Sequence, residues 1–213
     1  MKYYKLIPTI ECITSQIHFL LNNGLNSAEN PIRILEIGGG TGGTTIPLLR
    51  SFNKQNFPVN YTFTDISNFF VGKTKAIIAE EFPKMAVEYK MLDIERRPED
   101  QGIETGFYDI VIAADVFHAT EYLDDTLAHT RSILKDGGLL VLGEVFQSSM
   151  FLEITFGLAG GWWRWGDENR EHGSALLQPK EWDALLKRHE FEDTFSVGHT
   201  SYGVVFALAN GRT

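Results

Sequence analysis

The sequence predicts an α/β fold: a mostly parallel, seven-stranded sheet with helices on both faces and an antiparallel hairpin at the C-terminus. Apolar strand patterns alternate with helical patterns from residue 32 to 146, which is typical of parallel strands joined by right-handed crossovers. The first strand pattern ends in a glycine-rich loop, and the chain closes with two β-rich stretches. Its 213 residues are enough for one domain with a sizeable core.

The first half of the chain repeats a strand followed by a helix. Before the first strand, isoleucines and leucines recur at helical spacing from Ile10 to Leu21, and Asn22-Asn23-Gly24 ends this helix. The elements expected next are strands at 32–37, 60–65 and 86–92, a helix at 44–52, and a helix from its cap Ser67 to Pro83.

The second half continues this pattern and then departs from it. The expected elements are a strand at 108–114, a helix at 120–135, a strand at 139–145, a helix from Pro179 and a hairpin of 194–197 with 203–209. The stretch from Met150 to Trp165 has no period and is rich in glycine and aromatic residues. We therefore divide the single domain, 1–213, into a helical extension or lid (1–31), a cofactor-binding core (32–146), a lid or substrate segment (147–190) and the hairpin (191–213).

Composition excludes several classes of protein. The net charge of −9 and the scarcity of adjacent basic residues argue against a nucleic-acid partner. Cys12 is the single cysteine, so we expect no internal disulfide and a reduced, buried thiol. No apolar run is long enough for a membrane span, and the first residues lack the apolar block of a signal peptide, so we expect a cytoplasmic protein without a membrane partner.

The glycine loop at Ile34 to Gly43 predicts a nucleotide-like ligand, because glycine lets the backbone approach a ligand closely. Glu36 with Gly38, Gly40 and Gly42 forms the pattern E-x-G-x-G-x-G, whose acidic residue can meet the ammonium group of S-adenosylmethionine. Gly38, Gly40 and Gly43 also satisfy the G-x-G-x-x-G fingerprint of dinucleotide sites. The loop alone therefore leaves two cofactors open.

Acidic residues at the ends of three strands favour S-adenosylmethionine. Glu36 lies near the end of the first strand, Asp65 ends the second, and Asp93 follows the third. Carboxyl ends of parallel strands meet at one edge of the sheet. Asp65 can accept both ribose hydroxyls of either cofactor, whereas Asp93, with the backbone amide of Ile94, suits the adenine edge of S-adenosylmethionine. Ala114, at the end of the fourth strand, completes the predicted cofactor contacts.

Several motifs together resemble the C-methyltransferase domains of polyketide synthases. The resemblance runs from about residue 32 to 195 and rests on EIGGGTGGTT, YTFTDIS, LDIE, YDIVIAADVFHAT, LKDGGLLVLGE and FGLAGGWW. It implies a Rossmann-like class I methyltransferase that uses S-adenosylmethionine. In that family a histidine after the fourth strand and a glutamate after the fifth form a catalytic dyad, and these match His118 and Glu144.

The chemistry of that dyad is consistent with its residue types. A neutral imidazole can remove the acidic α-proton of a β-ketoacyl thioester, and a carboxylate can fix its tautomer and stabilise the imidazolium. The resemblance implies a β-ketoacyl chain carried by an acyl carrier protein, with other synthase domains as partners. We assign Asp115, Trp162 and Trp163 to the substrate, and we expect no metal site, because no His/Cys/Asp spacing suggests one.

The sequence departs from the family in three places. Asp115 stands where asparagine is usual and alters the charge near the substrate, whereas Gly39 stands where alanine is usual and should be harmless. About 30 residues precede the first strand, so we expect an excised or shortened domain with an open access route. Three alternatives stay open: an O-methyltransferase with the same histidine base, a non-catalytic domain that binds the cofactor or docks a carrier protein, and a remote NAD-dependent oxidoreductase.

Overall fold

Seven strands form one sheet in a computed structural model that describes residues 7–20, 31–158, 160–170, 174–198 and 201–211. The strand order is β3-β2-β1-β4-β5-β7-β6. Neighbours among β1 to β5 are parallel, whereas β7 is antiparallel to β5 and to β6. The strands are β1 (Ile32–Ile37), β2 (Val59–Asp65), β3 (Ala86–Met91), β4 (Tyr108–Ala114), β5 (Leu134–Val145), β6 (Phe191–Gly198) and β7 (Tyr202–Ala209).

Helices cover both faces of this sheet. They are α1 (Ile7–Leu20), α2 (Thr45–Gln55), α3 (Asn68–Glu81), α4 (Leu123–Ile133), α5 (Met150–Phe156) and α6 (Pro179–Arg188). Alternate residues of a strand point to opposite faces, so Ile34 packs in a core with Leu48 of α2, while Leu35 packs in a second core with Leu127 of α4. This confirms the predicted α/β class with helices on both faces.

The sheet sets the position of the ligand site. β1 pairs with β2 on one side and with β4 on the other, so the order of the strands reverses between β1 and β4. In an open α/β sheet the crevice beyond the carboxyl ends at such a reversal is where ligands bind. The glycine loop follows β1 at this point.

Several boundaries differ from the sequence prediction, and helix α4 differs at both ends. Helix α4 begins at Leu123 rather than at Thr120, because Phe117 to Ala119 form a 3-10 turn and Thr120 is extended. It ends at Ile133, since Leu134 pairs with Tyr108 and joins β5. Sheet pairing thus displaces the predicted last turn of the helix.

The aromatic stretch contains a helix that its lack of periodicity did not predict. Helix α5 begins after Ser149, whose hydroxyl accepts the N–H of Leu152 at 3.3 Å. The predicted end of the first helix at Asn22-Asn23-Gly24, and most of the predicted 1–31 lid, lie outside the described residues. Within the described part of the chain, no helix combines the length and apolar character that crossing a membrane requires.

Candidate active site

The glycine loop is held between β2 and the segment after β4. The N–H of Gly39 donates to the carbonyl oxygen of Thr64 at 2.9 Å, and the Thr74 hydroxyl donates to the carbonyl oxygen of Gly40 at 2.9 Å. Gly38 has a φ of +65°, and a Cβ there would lie 2.5 Å from a methyl group of Val116. Glycine is required at that position on both counts.

Gly39 has a structural role that its sequence did not indicate. Its backbone is not left-handed, but an added Cβ would lie 2.2 Å from the Phe63 ring of β2. An alanine at this position would therefore displace Phe63 or the loop. The substitution that we expected to be harmless is what allows this ring to pack beneath the loop.

Glu36 is buried beside the loop and receives hydrogen bonds from neutral groups. Its Oε2 accepts the Thr45 hydroxyl at 2.5 Å and the Tyr61 hydroxyl at 2.8 Å. Burial raises the pKa of Glu36 to about 7, although both hydrogen bonds oppose the shift. Among the described residues, no basic side chain forms a salt bridge with Glu36.

Asp65 supports the loop with both of its carboxylate oxygens. Oδ2 accepts the N–H of Gly40 at 2.9 Å, and Oδ1 accepts the N–H of Ser67 at 2.7 Å. Ser67 does precede α3 as predicted, but its own side chain makes no capping hydrogen bond. Asp65 therefore organises this corner, and its predicted contact with a ribose stays a prediction.

Asp93 and Ile94 lie on a loop after β3 that side chains hold in shape. The Gln101 amide accepts the N–H of Asp93 and donates to its carbonyl oxygen, each at 2.8 Å. His129 contacts the carbonyl oxygen of Ile94 through Nδ1 at 2.8 Å. The backbone that we predict to meet the adenine is thereby fixed in position.

His118 and Glu144 form a buried pair just beyond β4 and near the end of β5. Nδ1 of His118 lies 2.6 Å from Oε2 of Glu144, and the exposed fractions of the two side chains are 15% and 1%. Oε1 of Glu144 accepts the N–H groups of Phe117 at 2.8 Å and Val116 at 3.2 Å. An ionised carboxylate can only accept hydrogen bonds, so Nδ1 carries the proton and Nε2 of a neutral His118 keeps its lone pair.

Charges around His118 favour its protonated form. Burial acts to lower the pKa of His118, but the charge and hydrogen bond of Glu144, together with the charge of Asp115, outweigh it and raise that pKa above 6.5. The charge of Arg170 acts weakly in the opposite direction. The pair is thus arranged to stabilise a proton that arrives on the imidazole.

Asp115 joins this pair as a second carboxylate. A nitrogen of His118 and one oxygen each of Asp115 and Glu144 lie within 4.8 Å of one another. Asp115 is an exposed residue, but the protein around it partly desolvates its carboxylate, and this desolvation, with the charge of Glu144, raises its pKa to about 6. The shortest contact in this cluster is the hydrogen bond between His118 and Glu144, and Glu144 already accepts from three donors. We therefore interpret the cluster as a proton-transfer site rather than a metal site.

Two contacts at this cluster were not predicted from the sequence. The hydroxyl of Tyr202, on β7, interacts with the nearby Asp115 carboxylate. Arg170 is fully buried, forms an ion pair with Asp167 at 2.5 Å and donates to the carbonyl oxygen of His118 at 3.3 Å. Arg170 lies in the aperiodic segment, so no spacing pattern relates it to the histidine.

The two tryptophans assigned to the substrate have different surroundings. The Trp162 ring is buried and lies edge-on to His118, with 5.8 Å between the ring centres. Trp163 is half exposed and donates its Nε1–H to the carbonyl oxygen of Gly157 at 2.8 Å. The structure therefore brings Trp162, and not Trp163, to the dyad.

Comparison with known proteins places the chain in a family. The family described as "Methyltransferase domain" matches residues 35–140. Polyketide synthase PksM of Bacillus subtilis is 38% identical over 189 residues, which cover 86% of this chain and 4% of the synthase. The crystal structure of the CurJ carbon methyltransferase superposes with a TM-score of 0.86 at 33% identity, and covers 95% of this chain and 54% of that one.

A further solved structure contains the product form of the cofactor. The trans-methyltransferase CalH in complex with S-adenosylhomocysteine matches with a TM-score of 0.75 at 35% identity, over 84% of this chain and 51% of that chain. The curated methyltransferase calH is from Penicillium decumbens. The chain thus spans a few per cent of the synthase and about half of each crystallised relative.

The fold and the matches define a class I methyltransferase that depends on S-adenosylmethionine. Within that class, the chain belongs to the carbon-methyltransferase domains of polyketide synthases. The strand ends fit this cofactor, because a buried carboxylate with hydroxyl partners alone, such as Glu36, suits an ammonium group. A Cβ at Gly40 would meet no atom closer than 3.9 Å, so the loop is open above this glycine.

Proposed function

We propose that this chain methylates the α-carbon of a β-ketoacyl thioester carried by an acyl carrier protein. The observation that carries the proposal is the 2.6 Å contact between Nδ1 of His118 and Oε2 of Glu144 at the carboxyl ends of adjacent strands. This contact leaves Nε2 as the basic atom. A general base held in this way contributes about 10²- to 10⁴-fold to a proton transfer.

His118 acts as the general base and Glu144 as the group that orients it. The α-proton leaves the substrate for Nε2, and the electron pair of the C–H bond becomes an enolate spread over two carbonyl groups. Glu144 keeps the Nδ1–H tautomer and stabilises the imidazolium, and the N–H groups of Phe117 and Val116 hold the Glu144 carboxylate in place. S-Adenosylmethionine, when bound, supplies an electrophilic methyl group for the enolate carbon.

The chain's residues divide the binding of the cofactor among three strand ends. Glu36 would meet its ammonium group, Asp65 its ribose hydroxyls, and Asp93 with the Ile94 N–H its adenine. The loop of Gly38, Gly40 and Gly42, with Ala114 at the end of β4, would contact the remainder. Asp65 is already held by two backbone N–H groups, so its carboxylate is oriented before the cofactor arrives.

The segment after α5 would cover the acyl chain. Phe156 stacks on Trp162 with 5.7 Å between ring centres, and Trp162 in turn contacts His118. These aromatic side chains would exclude water from the enolate. Asp115 would also contact the substrate.

The proposed partners follow from the relatives, several of which are polyketide synthases. An acyl carrier protein would present the thioester, and other synthase domains would supply and consume it. A net charge of −9 makes nucleic acid an unsuitable partner. A cytoplasmic location stays a prediction.

The test locates the transferred methyl group. The protein is incubated with methyl-labelled S-adenosylmethionine and an acetoacetyl carrier protein, and the product is analysed by mass spectrometry and NMR. Label on the α-carbon supports the proposal. Label on oxygen would indicate an O-methyltransferase, and cofactor binding without transfer would indicate a non-catalytic domain.

A further inference from the structure

Asp115 is a carboxylate beside the dyad that the steps above leave without a chemical task. Its backbone is held at a φ of +57°, and its N–H donates to the carbonyl oxygen of Gly143 at 2.9 Å. A left-handed backbone at a non-glycine residue costs energy, and such strain concentrates at functional sites. The fixed backbone places a second carboxylate beside His118 and Glu144.

Asp115 and Glu144 differ in the groups that surround their carboxylates. Glu144 accepts hydrogen bonds from two backbone N–H groups and contacts Nδ1 of His118. Asp115 faces Glu144 on β5, His118 on the loop after β4 and Tyr202 on β7. Of these partners, only Tyr202 and a charged His118 favour its ionised form. Two neighbouring acids whose surroundings give them different pKa values can take different roles in catalysis.

We propose that Asp115 is a catalytic residue that acts in its neutral form and donates a hydrogen bond to a carbonyl oxygen of the β-ketoacyl substrate. This inference rests on the function proposed above. The carbonyl oxygens are two bonds from the α-carbon that His118 deprotonates, and an oxygen of Asp115 lies within 4.8 Å of the His118 nitrogen and of a Glu144 oxygen. His118, which takes the α-proton, and Asp115, which shares its carboxyl proton with the carbonyl oxygen, therefore lie next to each other.

His118 and Asp115 handle different protons in the proposed step. The α-proton moves to Nε2 of His118, and its electron pair passes to the carbonyl oxygen. Asp115 keeps its own proton and shares it with that oxygen, whose negative charge grows in the transition state. An ionised Asp115 would repel this charge instead. A fixed donor of this kind is worth roughly 10²- to 10³-fold in rate.

The raised pKa of Asp115 is consistent with this role. Crowding by protein atoms and the charge of Glu144 raise its pKa to about 6, and a substrate that covers the exposed side would raise it further. The charge of Asp115 also raises the pKa of His118. The titrations of the two groups are therefore coupled, and the form that the proposal requires has its proton on Asp115 and a neutral His118.

The test compares Asp115→Asn with Asp115→Ala on acetoacetyl-N-acetylcysteamine, with kcat/KM measured from pH 5 to 9. Wild type should show a bell-shaped profile, because activity is lost when Asp115 ionises. Asn donates at every pH, so Asp115→Asn should lose the alkaline limb and keep its maximum within about threefold of wild type. Asp115→Ala should be about 10²-fold slower.

Asp193 provides the matched control, because it is also a left-handed aspartate, with a φ of 47°, and is exposed on β6. Asp193→Asn and Asp193→Ala should leave the pH profile unchanged. Equal rates for Asp115→Asn and Asp115→Ala, or an alkaline limb that persists in Asp115→Asn, would overturn the inference. Should Asp115→Ala fail to fold, the alkaline limb of Asp115→Asn decides. His118→Ala separates the two proposals, since an active His118→Ala variant would overturn the proposed function itself.

Discussion

Two histidine–carboxylate pairs in the described part of the chain have the same separation and different surroundings. His118 contacts Glu144 at 2.6 Å, and His189, at the end of α6, contacts Asp124 of α4 at 2.6 Å. The Glu144 side chain is 1% exposed, whereas that of Asp124 is 53% exposed. In the first pair the histidine uses Nδ1, and in the second it uses Nε2.

This difference shows that a short contact alone does not define a dyad. Glu144 is fixed by two backbone N–H groups at the carboxyl end of the sheet, while the remaining oxygen contacts of Asp124 include an exposed Asn169 amide at 2.7 Å. Burial strengthens a charge interaction, and solvent screens it. The surface pair therefore serves as an internal control for the buried one.

The largest expected difference between the pairs is in activity. His118→Ala removes the general base and should lower kcat by about 10³-fold, within the usual range for such a base, while the affinity for S-adenosylmethionine stays nearly unchanged. His189→Ala removes a histidine from a pair of equal length and should keep wild-type kcat. Steady-state kinetics and calorimetry measure both effects. Comparable losses in the two variants would remove the dyad from the mechanism.

The two carboxylates should also differ in their contribution to stability. Glu144→Gln can keep a carbonyl oxygen against the two backbone N–H groups, but it then places an amide NH2 group against Nδ1 of His118, and leaving a buried donor unpaired costs about 1–3 kcal/mol. Asp124→Asn weakens an exposed pair, which is worth about 0–1 kcal/mol. Urea unfolding measures the difference. A Glu144→Gln variant as stable as Asp124→Asn would mean that the buried pair is under no greater constraint.

Glu36 sharpens the comparison as a buried carboxylate without a cation from the described part of the chain. Its pKa of about 7 means that the free protein binds a proton there below neutral pH. The cofactor's ammonium requires the ionised form, so the Kd for S-adenosylmethionine should rise by up to about tenfold per pH unit below 7 and level off above it. Calorimetry from pH 5.5 to 8 tests this. A Kd equally steep in Glu36→Gln would exclude Glu36 as the cause.

The smallest expected effects concern pH and stability, and they have opposite signs for the two pairs. The pKa of His118 is raised above 6.5, so the charge in its pair stabilises fully below 6.5 and is lost as the pH rises through the higher folded value. Burial acts to raise the pKa of Asp124, but hydrogen bonds from His189 and Asn169 lower it below 3.8. Its pair therefore stabilises above 3.8 and is lost as the pH falls.

Unfolding free energies across pH test both signs. The difference between wild type and His118→Ala should shrink from pH 6 to 9, and that between wild type and Asp124→Asn should shrink from pH 6 to 3. NMR titration of the His118 ring should give a pKa above 6.5 that falls in Glu144→Gln. A His118 that titrates at or below 6.5 would contradict the arrangement of charges described for the site.

Local sequence was sufficient for the parts of the site that one strand end determines. The Glu36 position and the glycine loop follow from a single stretch, and His118 and Glu144 follow from two neighbouring strands and a family motif. Tyr61 escaped prediction because its contact with Glu36 crosses the pairing of β1 with β2. Tyr202 escaped because an antiparallel register brings the start of β7 opposite Val145.

Elements were predicted best where periodicity and packing agree. The strand β4 matched its predicted residues, since YDIVIAA is apolar and buried on both faces. The end of α4 was wrong, because pairing of Leu134 with Tyr108 replaced the last helical turn. Helix α5 was missed, since its seven residues are too few to establish a period. Arg170 was missed because its partner Asp167 and the His118 carbonyl are related only by tertiary packing.

The close approach of the Phe63 ring to Gly39 means that these two positions have to change together, both in evolution and in protein design. A loop with alanine at position 39 cannot be transplanted into this chain while Phe63 remains, because the new Cβ would lie 2.2 Å from the ring. The two positions, 24 residues apart in the sequence, behave as one unit of change. A chimera should exchange β2 together with the loop, and an alanine variant should recover when Phe63 is replaced by a smaller side chain.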